Sequence, residues 1–254
     1  MEMSKERMLC VLTAAVLSAC GGGGGGSGDG GGGLPPPPPA PAPAPGPGPA
    51  PAPGTVNANN AWRNFLTTTQ AWTVSGTGSN GLNYQIALSL TPGPMQTFPL
   101  SGAQRSTTTA RAELKPGGLA IQTSEGVTYF DLTSYVADGT KTTDSAGAST
   151  CSTATASSQP PESAAIGASG PLQSYVDYNG CLSSSAVSGS SVTTWSVESE
   201  NNITYFCLNT VAKNNAGAVL TSEGDCFQID ANGTFGAKAR VTLHTAMFDL
   251  IARN

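Results

Sequence analysis

From Gly21 to Gly54 the chain is built almost wholly of Gly, Pro and Ala, and a segment of that composition cannot bury enough apolar surface to fold. This tract fixes the organisation of everything else. Gly21 to Gly33, interrupted by Ser27 and Asp29, predicts a flexible coil of roughly 20 Å root-mean-square length. Pro35 to Gly54 holds Pro, Ala and Gly alone and predicts a semi-rigid polyproline rod of roughly 60 Å. A proline-rich docking segment would carry flanking charge, which is missing, so the tract reads as a disordered spacer. The chain after it, Thr55 to Asn254, is long enough for one domain with a substantial core.

The residues before the spacer have a different character. Lys5 and Arg7 precede an apolar run from Met8 to Val16, the charged and hydrophobic parts of an export signal. The run is about half the ~20 residues a membrane-spanning helix requires. Leu17-Ser18-Ala19-Cys20 follows and resembles the lipobox at which bacterial lipoproteins are cleaved and acylated. The resemblance implies that residues 1–19 form a lipoprotein signal peptide, that Cys20 becomes the lipidated first residue, and that residues 20–54 are anchor and linker. Gly21 stands where lipoproteins retained at the inner membrane usually carry Asp, so the resemblance implies a lipid-anchored protein of the outer membrane.

Electrostatics narrow the partners. Leaving out Lys5, Arg7, Glu2, Glu6 and Asp29, the 11 basic and 16 acidic side chains fall to 9 and 13, a net charge of −4 for residues 55–254. No basic cluster marks a nucleic-acid surface. With Cys10 in the signal and Cys20 acylated, Cys151, Cys181, Cys207 and Cys226 remain, an even number suited to disulfides in an oxidising compartment. Three pairings exist. Cys151 with Cys181 and Cys207 with Cys226 each bracket an out-and-back excursion of strands, and each closed loop would contribute roughly 3 kcal/mol. A zinc site is the weaker alternative, because no Cys-x-x-Cys occurs and His244 is the single histidine.

The domain reads as strand and turn. Tyr84 to Leu90, Leu119 to Gln122 and Ala239 to Leu243 alternate apolar with polar or small residues, the period of a half-buried strand. Lys115-Pro116-Gly117-Gly118, Asn80-Gly81 and Asn232-Gly233 supply turns between antiparallel strands. Helical periodicity is confined to Ala58 to Gln70. Residues Thr140 to Gly170, rich in Ser, Thr, Ala and Gly, predict a long surface excursion. The fold class expected is therefore all-β, an antiparallel β-sandwich or small barrel.

Leu119 to Leu132 aligns without a gap on Trp195 to Leu208, and both predict hairpins; Trp72 to Tyr84 resembles them with a longer loop. The irregular spacing of the copies argues against a propeller or solenoid. In the gapless copies alternation puts Val127, Tyr129 and Asp131 on one face and Thr128, Phe130 and Leu132 on the other, with Phe130 and Leu132 inward, as Phe206 and Leu208 are in the second copy. Aromatic residues at strand spacing are expected to fill the interior. Tyr129 and Tyr205, on the opposite face, are the remaining candidates for ligand contact.

Catalytic constellations are hard to assemble. His244 falls on the polar side of Val241-Thr242-Leu243-His244-Thr245, a solvent position, and no Gly-x-Ser-x-Gly elbow is present. Glu113, Asp131, Glu198 and Glu200 offer a carboxylate pair of the glycosidase kind only by arbitrary choice, and Glu198 with Glu200 share a face expected to be solvated. Asp230-Ala231-Asn232-Gly233 opens like a calcium loop without its later ligands, so a tight turn is expected there. The reading is of no catalytic residues, no metal and no cofactor, with a hydrolase the least favoured option.

A glycine tract after a lipidated cysteine, then a β-rich domain containing Gly233-Thr234-Phe235-Gly236, resembles surface lipoproteins of the transferrin-binding and factor-H-binding kind. The resemblance implies display on the cell and a protein or glycan ligand. The ending Ala252-Arg253-Asn254 and the lack of an outward apolar band argue against an integral outer-membrane barrel. The function expected is a non-catalytic, envelope-associated lipoprotein, with a surface-exposed binding module as the alternative.

Overall fold

The computed structural model of the protein describes residues 54–117 and 122–254. The signal, Cys20, most of the spacer and residues 118–121 lie outside the described residues. In chain order the elements are β1 (Thr55–Val56), α1 (Ala58–Thr67), β2 (Gln70–Thr77), β3 (Asn83–Thr97), β4 (Gln104–Pro116), β5 (Gln122–Phe130), β6 (Ala137–Thr143), β7 (Ser149–Ser157), β8 (Ala164–Ala165), β9 (Ser169–Tyr178), β10 (Val187–Glu200), β11 (Ile203–Asn214), β12 (Val219–Ile229), β13 (Phe235–Thr245) and β14 (Asp249–Arg253).

Twelve of these strands close into an antiparallel barrel in the order β2-β3-β4-β5-β6-β7-β9-β10-β11-β12-β13-β14. The all-β expectation holds, and closure selects the barrel over the sandwich. Nearly every neighbour is also a chain neighbour, which is the result of the turn chemistry. Gly81 and Gly233 have φ of 79° and 79° in their tight turns, and Asn201 and Asn202, at φ 51° and 63°, form the two-residue turn joining β10 to β11. The exception is β8, which leaves the barrel between β7 and β9 to pair with β1.

Alternation sorts the wall into two faces. On β3 and β4, Ile86, Leu90, Ala110, Ala112 and Leu114 are buried inside, while Gln85, Arg111, Glu113 and Lys115 point outward. Phe130, Trp195, Phe206 and Leu208 all lie in the interior core, so the inward assignment of Phe130, Phe206 and Leu208 agrees with the structure.

Helix α1 plugs one end. Its apolar residues Ala58, Ala61, Trp62, Phe65 and Leu66 recur at helical spacing and are buried, and the Asn57 side chain caps its start by accepting from the Asn60 N–H at 2.8 Å. Asn60 and Asn64 donate to the Asn232 and Gly233 carbonyls at 2.6 and 3.0 Å, Trp62 Nε1 to the Tyr135 carbonyl at 3.0 Å, and Asn59 to Gln159 and the Pro160 carbonyl. In an antiparallel barrel the connections carrying these acceptors, β12–β13, β5–β6 and β7–β9, leave the same end. The helix is therefore fixed across that mouth, its Phe65 ring 5.9 Å from Phe227.

Three expectations are corrected. Thr140 to Gly170 is not an excursion: Ala137–Thr143 and Ser149–Ser157 are wall strands. Their inward residues are small and polar, so no apolar alternation announces them. Leu119 to Leu132 is not a hairpin, because Glu125 and Gly126 pair with β4 on one side and β6 on the other within one continuous strand; the aligned Asn201-Asn202 can take left-handed backbone easily and Glu125 cannot. Leu132 is 57% exposed, because the strand ends at Phe130 and the Asp131 carboxylate accepts from the N–H groups of Thr133 and Ser134 at 3.0 and 2.8 Å, turning the chain outward.

Candidate functional site

The barrel interior is not uniformly apolar. Read through the strand register, Thr108, Thr128, Thr140, Ser152 and Asp177 stand side by side across β4, β5, β6, β7 and β9. A second row, Gln173, Thr193, Thr210 and Glu223, crosses β9, β10, β11 and β12. All are buried. The rows meet on β9, where the Tyr175 hydroxyl bonds Gln173 Oε1 and Asp177 is two residues further on. The result is a polar belt along the inner wall from β4 to β12.

Hydrogen bonds account for much of the belt. Thr193 and Thr210 hydroxyls are 2.8 Å apart, Ser191 Oγ donates to Asp177 at 3.3 Å, and Thr108 donates to the Leu66 carbonyl at the end of α1. Thr140 and Thr142 Oγ1 have no protein partner, and buried hydroxyls of that kind are places where water binds. Burial pushes Asp177 up to about 6, against the downward pull of hydrogen bonds from Ser152 and Ser191. Tyr175 is raised by burial and then by the Asp177 charge.

Asp225 lies beside the belt, on the inward face of β12 between Glu223 and Phe227. It is 3% exposed, its Oδ1 has no hydrogen-bond partner, and burial pushes it up to about 7. It lines a cavity of about 20 Å³ with Phe65, Trp72, Leu90 and Phe227, room for about one water molecule. The belt and this cavity therefore carry the buried acids Asp177, Glu223 and Asp225. They were missed in the sequence because Thr, Ser and Asp in a strand pattern look like solvent positions.

The residues singled out from the sequence lie elsewhere. Tyr129 and Tyr205 are on the outward face, where alternation put them, yet only 3% and 7% exposed: Phe98 covers Tyr129 at 5.0 Å, and the Arg240 guanidinium sits 5.8 Å over the Tyr205 ring. Cys151 joins Cys181 and Cys207 joins Cys226. Glu198 Oε, Cys207 Sγ and Cys226 Sγ converge within 4.8 Å, but both sulfurs are committed to the disulfide. Glu198 and Glu200 do share a face, and they are not merely solvated: Arg240 bridges them, Nη1 to Glu200 at 2.9 Å and Nη2 to Glu198, while Arg253 reaches Glu200 at 2.6 Å. The bond from Arg240 is the main reason Glu200 lies below the usual carboxylate range. Glu113 pairs with Arg111 at 2.9 Å and Asp131 serves its turn, so the four carboxylates considered for glycoside chemistry are not brought to one place. His244 is exposed and bonded to Asp249 at 2.9 Å.

Family models, curated proteins and solved structures were compared with the chain, and none matches.

Proposed function

We propose that this protein is a lipid-anchored, non-catalytic component of the cell envelope, tethered through Cys20 to the outer membrane and holding its barrel away from the bilayer on the Gly/Pro-rich spacer. The observation that carries this reading is where the chain joins the domain. Thr55–Val56 pairs with Ala164–Ala165 and Asn57 N–H bonds the Ala231 carbonyl at 2.9 Å, so the spacer arrives at the plugged mouth. A tether attached there leaves the opposite mouth facing away from the membrane.

One observation favours display for binding a protein or glycan as a second reading. The opposite mouth carries the exposed apolar residues Leu182, Val187, Val219, Leu220 and Met247, and the Cys151–Cys181 disulfide pins its β9–β10 loop to the start of β7. Fractionation of Cys20→Ala cells tests the tether. Loss from the membrane fraction is expected, and unchanged membrane association and mass would overturn it. Protease treatment of intact cells then separates the readings: removal of the barrel supports display, protection supports an internal envelope role.

A further inference from the structure

We propose that α1 is a proton-controlled plug, seated while Asp225 is neutral and loosened when Asp225 ionises. The geometry sets this up. Phe65, on the buried face of α1, and Asp225, on β12, line the same small cavity, and Asp225 Oδ1 is unbonded there. Among the described residues, nothing packed around the carboxyl balances a charge. β11 and β13 present Leu208 and Val241, β2 presents Trp72, and β3 presents Leu90. The charged groups in reach are Glu223, of the same sign and two residues away, and Arg111 of β4, whose guanidinium is turned to Glu113 outside at 2.9 Å. Arg63 of α1 is stacked on Tyr135, 4.9 Å from its ring centre.

A carboxylate needs several hydrogen bonds from water or protein, and a buried one without them is strongly disfavoured. A cavity of about 20 Å³ admits about one water. Further hydration requires room on the side where the wall is not a continuous hydrogen-bonded strand, and that side is Phe65 and its helix. Withdrawal of α1 lets Asp225 ionise at an ordinary carboxylate value, so opening releases a proton. The raised value of about 7 in the seated state sets the range over which the plug responds.

Hydrogen–deuterium exchange of α1 amides in the full chain, corrected for intrinsic rate, tests this. The opening equilibrium should rise about tenfold per pH unit from pH 5 to 7 and level off above 7, where both states are ionised. In Asp225→Asn it should be flat, and in Asp177→Asn the slope should persist. A flat profile in the parent chain, or an unchanged slope in Asp225→Asn, would overturn the proposal. If Asp225→Asn does not fold, the parent decides: a slope confined to residues 58–67 supports the plug, whereas the same slope across β13 and β14 means global unfolding and sinks it.

Discussion

The hydroxyls of Thr193 and Thr210 meet 2.8 Å apart across β10 and β11, with both residues fully enclosed by the barrel. Each is the other's partner, so losing one leaves a buried polar group behind. Thr210→Val should cost about 1 to 3 kcal/mol, most of it the orphaned Thr193 hydroxyl. Thr193→Val/Thr210→Val together should cost clearly less than the sum of the singles. A double-mutant cycle in urea measures the coupling, and additive losses would show that the two hydroxyls are satisfied independently.

Phe206 is completely buried on the inner face of β11. Truncation to Ala removes a ring from the packed interior and should cost about 3 to 5 kcal/mol. Val192→Ala, on the outer face of β10 and 45% exposed, should change stability by less than about 0.5 kcal/mol. Comparable urea midpoints for the two variants would mean that the wall faces are reversed.

Cys207 and Cys226 are directly opposed in the β11–β12 register and close a segment with a sequence separation of 19. Replacing both with Ala should lower stability by roughly 3 kcal/mol through the added freedom of the unfolded chain. Thermal unfolding with and without reductant checks it: the parent should lose stability on reduction, and the double variant should be indifferent to reductant at this site.

These strands were legible because their apolar residues alternate and their ends are marked. Tyr84 to Leu90 and Ala239 to Leu243 show the period, and Asn80-Gly81 and Asn232-Gly233 mark turns that the structure contains. β6 and β7 were not legible, since Thr140, Thr142 and Ser152 face inward while belonging to residue types that normally face water. The same reversal hid the belt and Asp225. A buried carboxyl is recognised by what surrounds it across strands, and pairing such as Thr210 with Glu223 is a property of the register rather than of neighbouring letters. Barrel closure was illegible for a related reason, because it depends on the meeting of β14 with β2, which stand at opposite ends of the domain sequence.

That seam is narrow. β14 and β2 are registered through Arg253 and Ser75, and at the adjacent Gly76 an added Cβ would overlap the Ile251 carbonyl oxygen of β14. Backbone cannot yield there without breaking the closure, so Gly76→Ala should cost about 1 to 3 kcal/mol and raise amide exchange in β14 before other strands. Gly81→Ala is the comparison: it meets nothing in space but sits at φ 79°, so its cost should be local to the β2–β3 turn. Equal exchange changes in β14 for the two variants would remove the seam from the explanation.

Acidity should stabilise this protein before it harms it. Asp177 is raised to about 6, above its unfolded value of 3.8, so the folded state binds the extra proton. Its contribution is fully present below about pH 4 and is lost as pH rises through 6, amounting to something on the order of 3 kcal/mol. Asp131, lowered chiefly by the Ser134 backbone N–H, and Glu200, lowered chiefly by Arg240, act in the opposite sense: their contributions exist above the unfolded carboxylate value and disappear as pH falls below it. The opposing trends place maximum stability at roughly pH 4. Urea midpoints measured from pH 4 to 8 should fall on the alkaline side of that maximum. Asp177→Asn, which keeps the shape and can still bond Ser152 and Ser191, should remove the Asp177 part of the fall and leave the part due to Asp225, which burial raises to about 7. An undiminished fall in that variant would assign the proton to another buried acid, with Asp225 the first to replace.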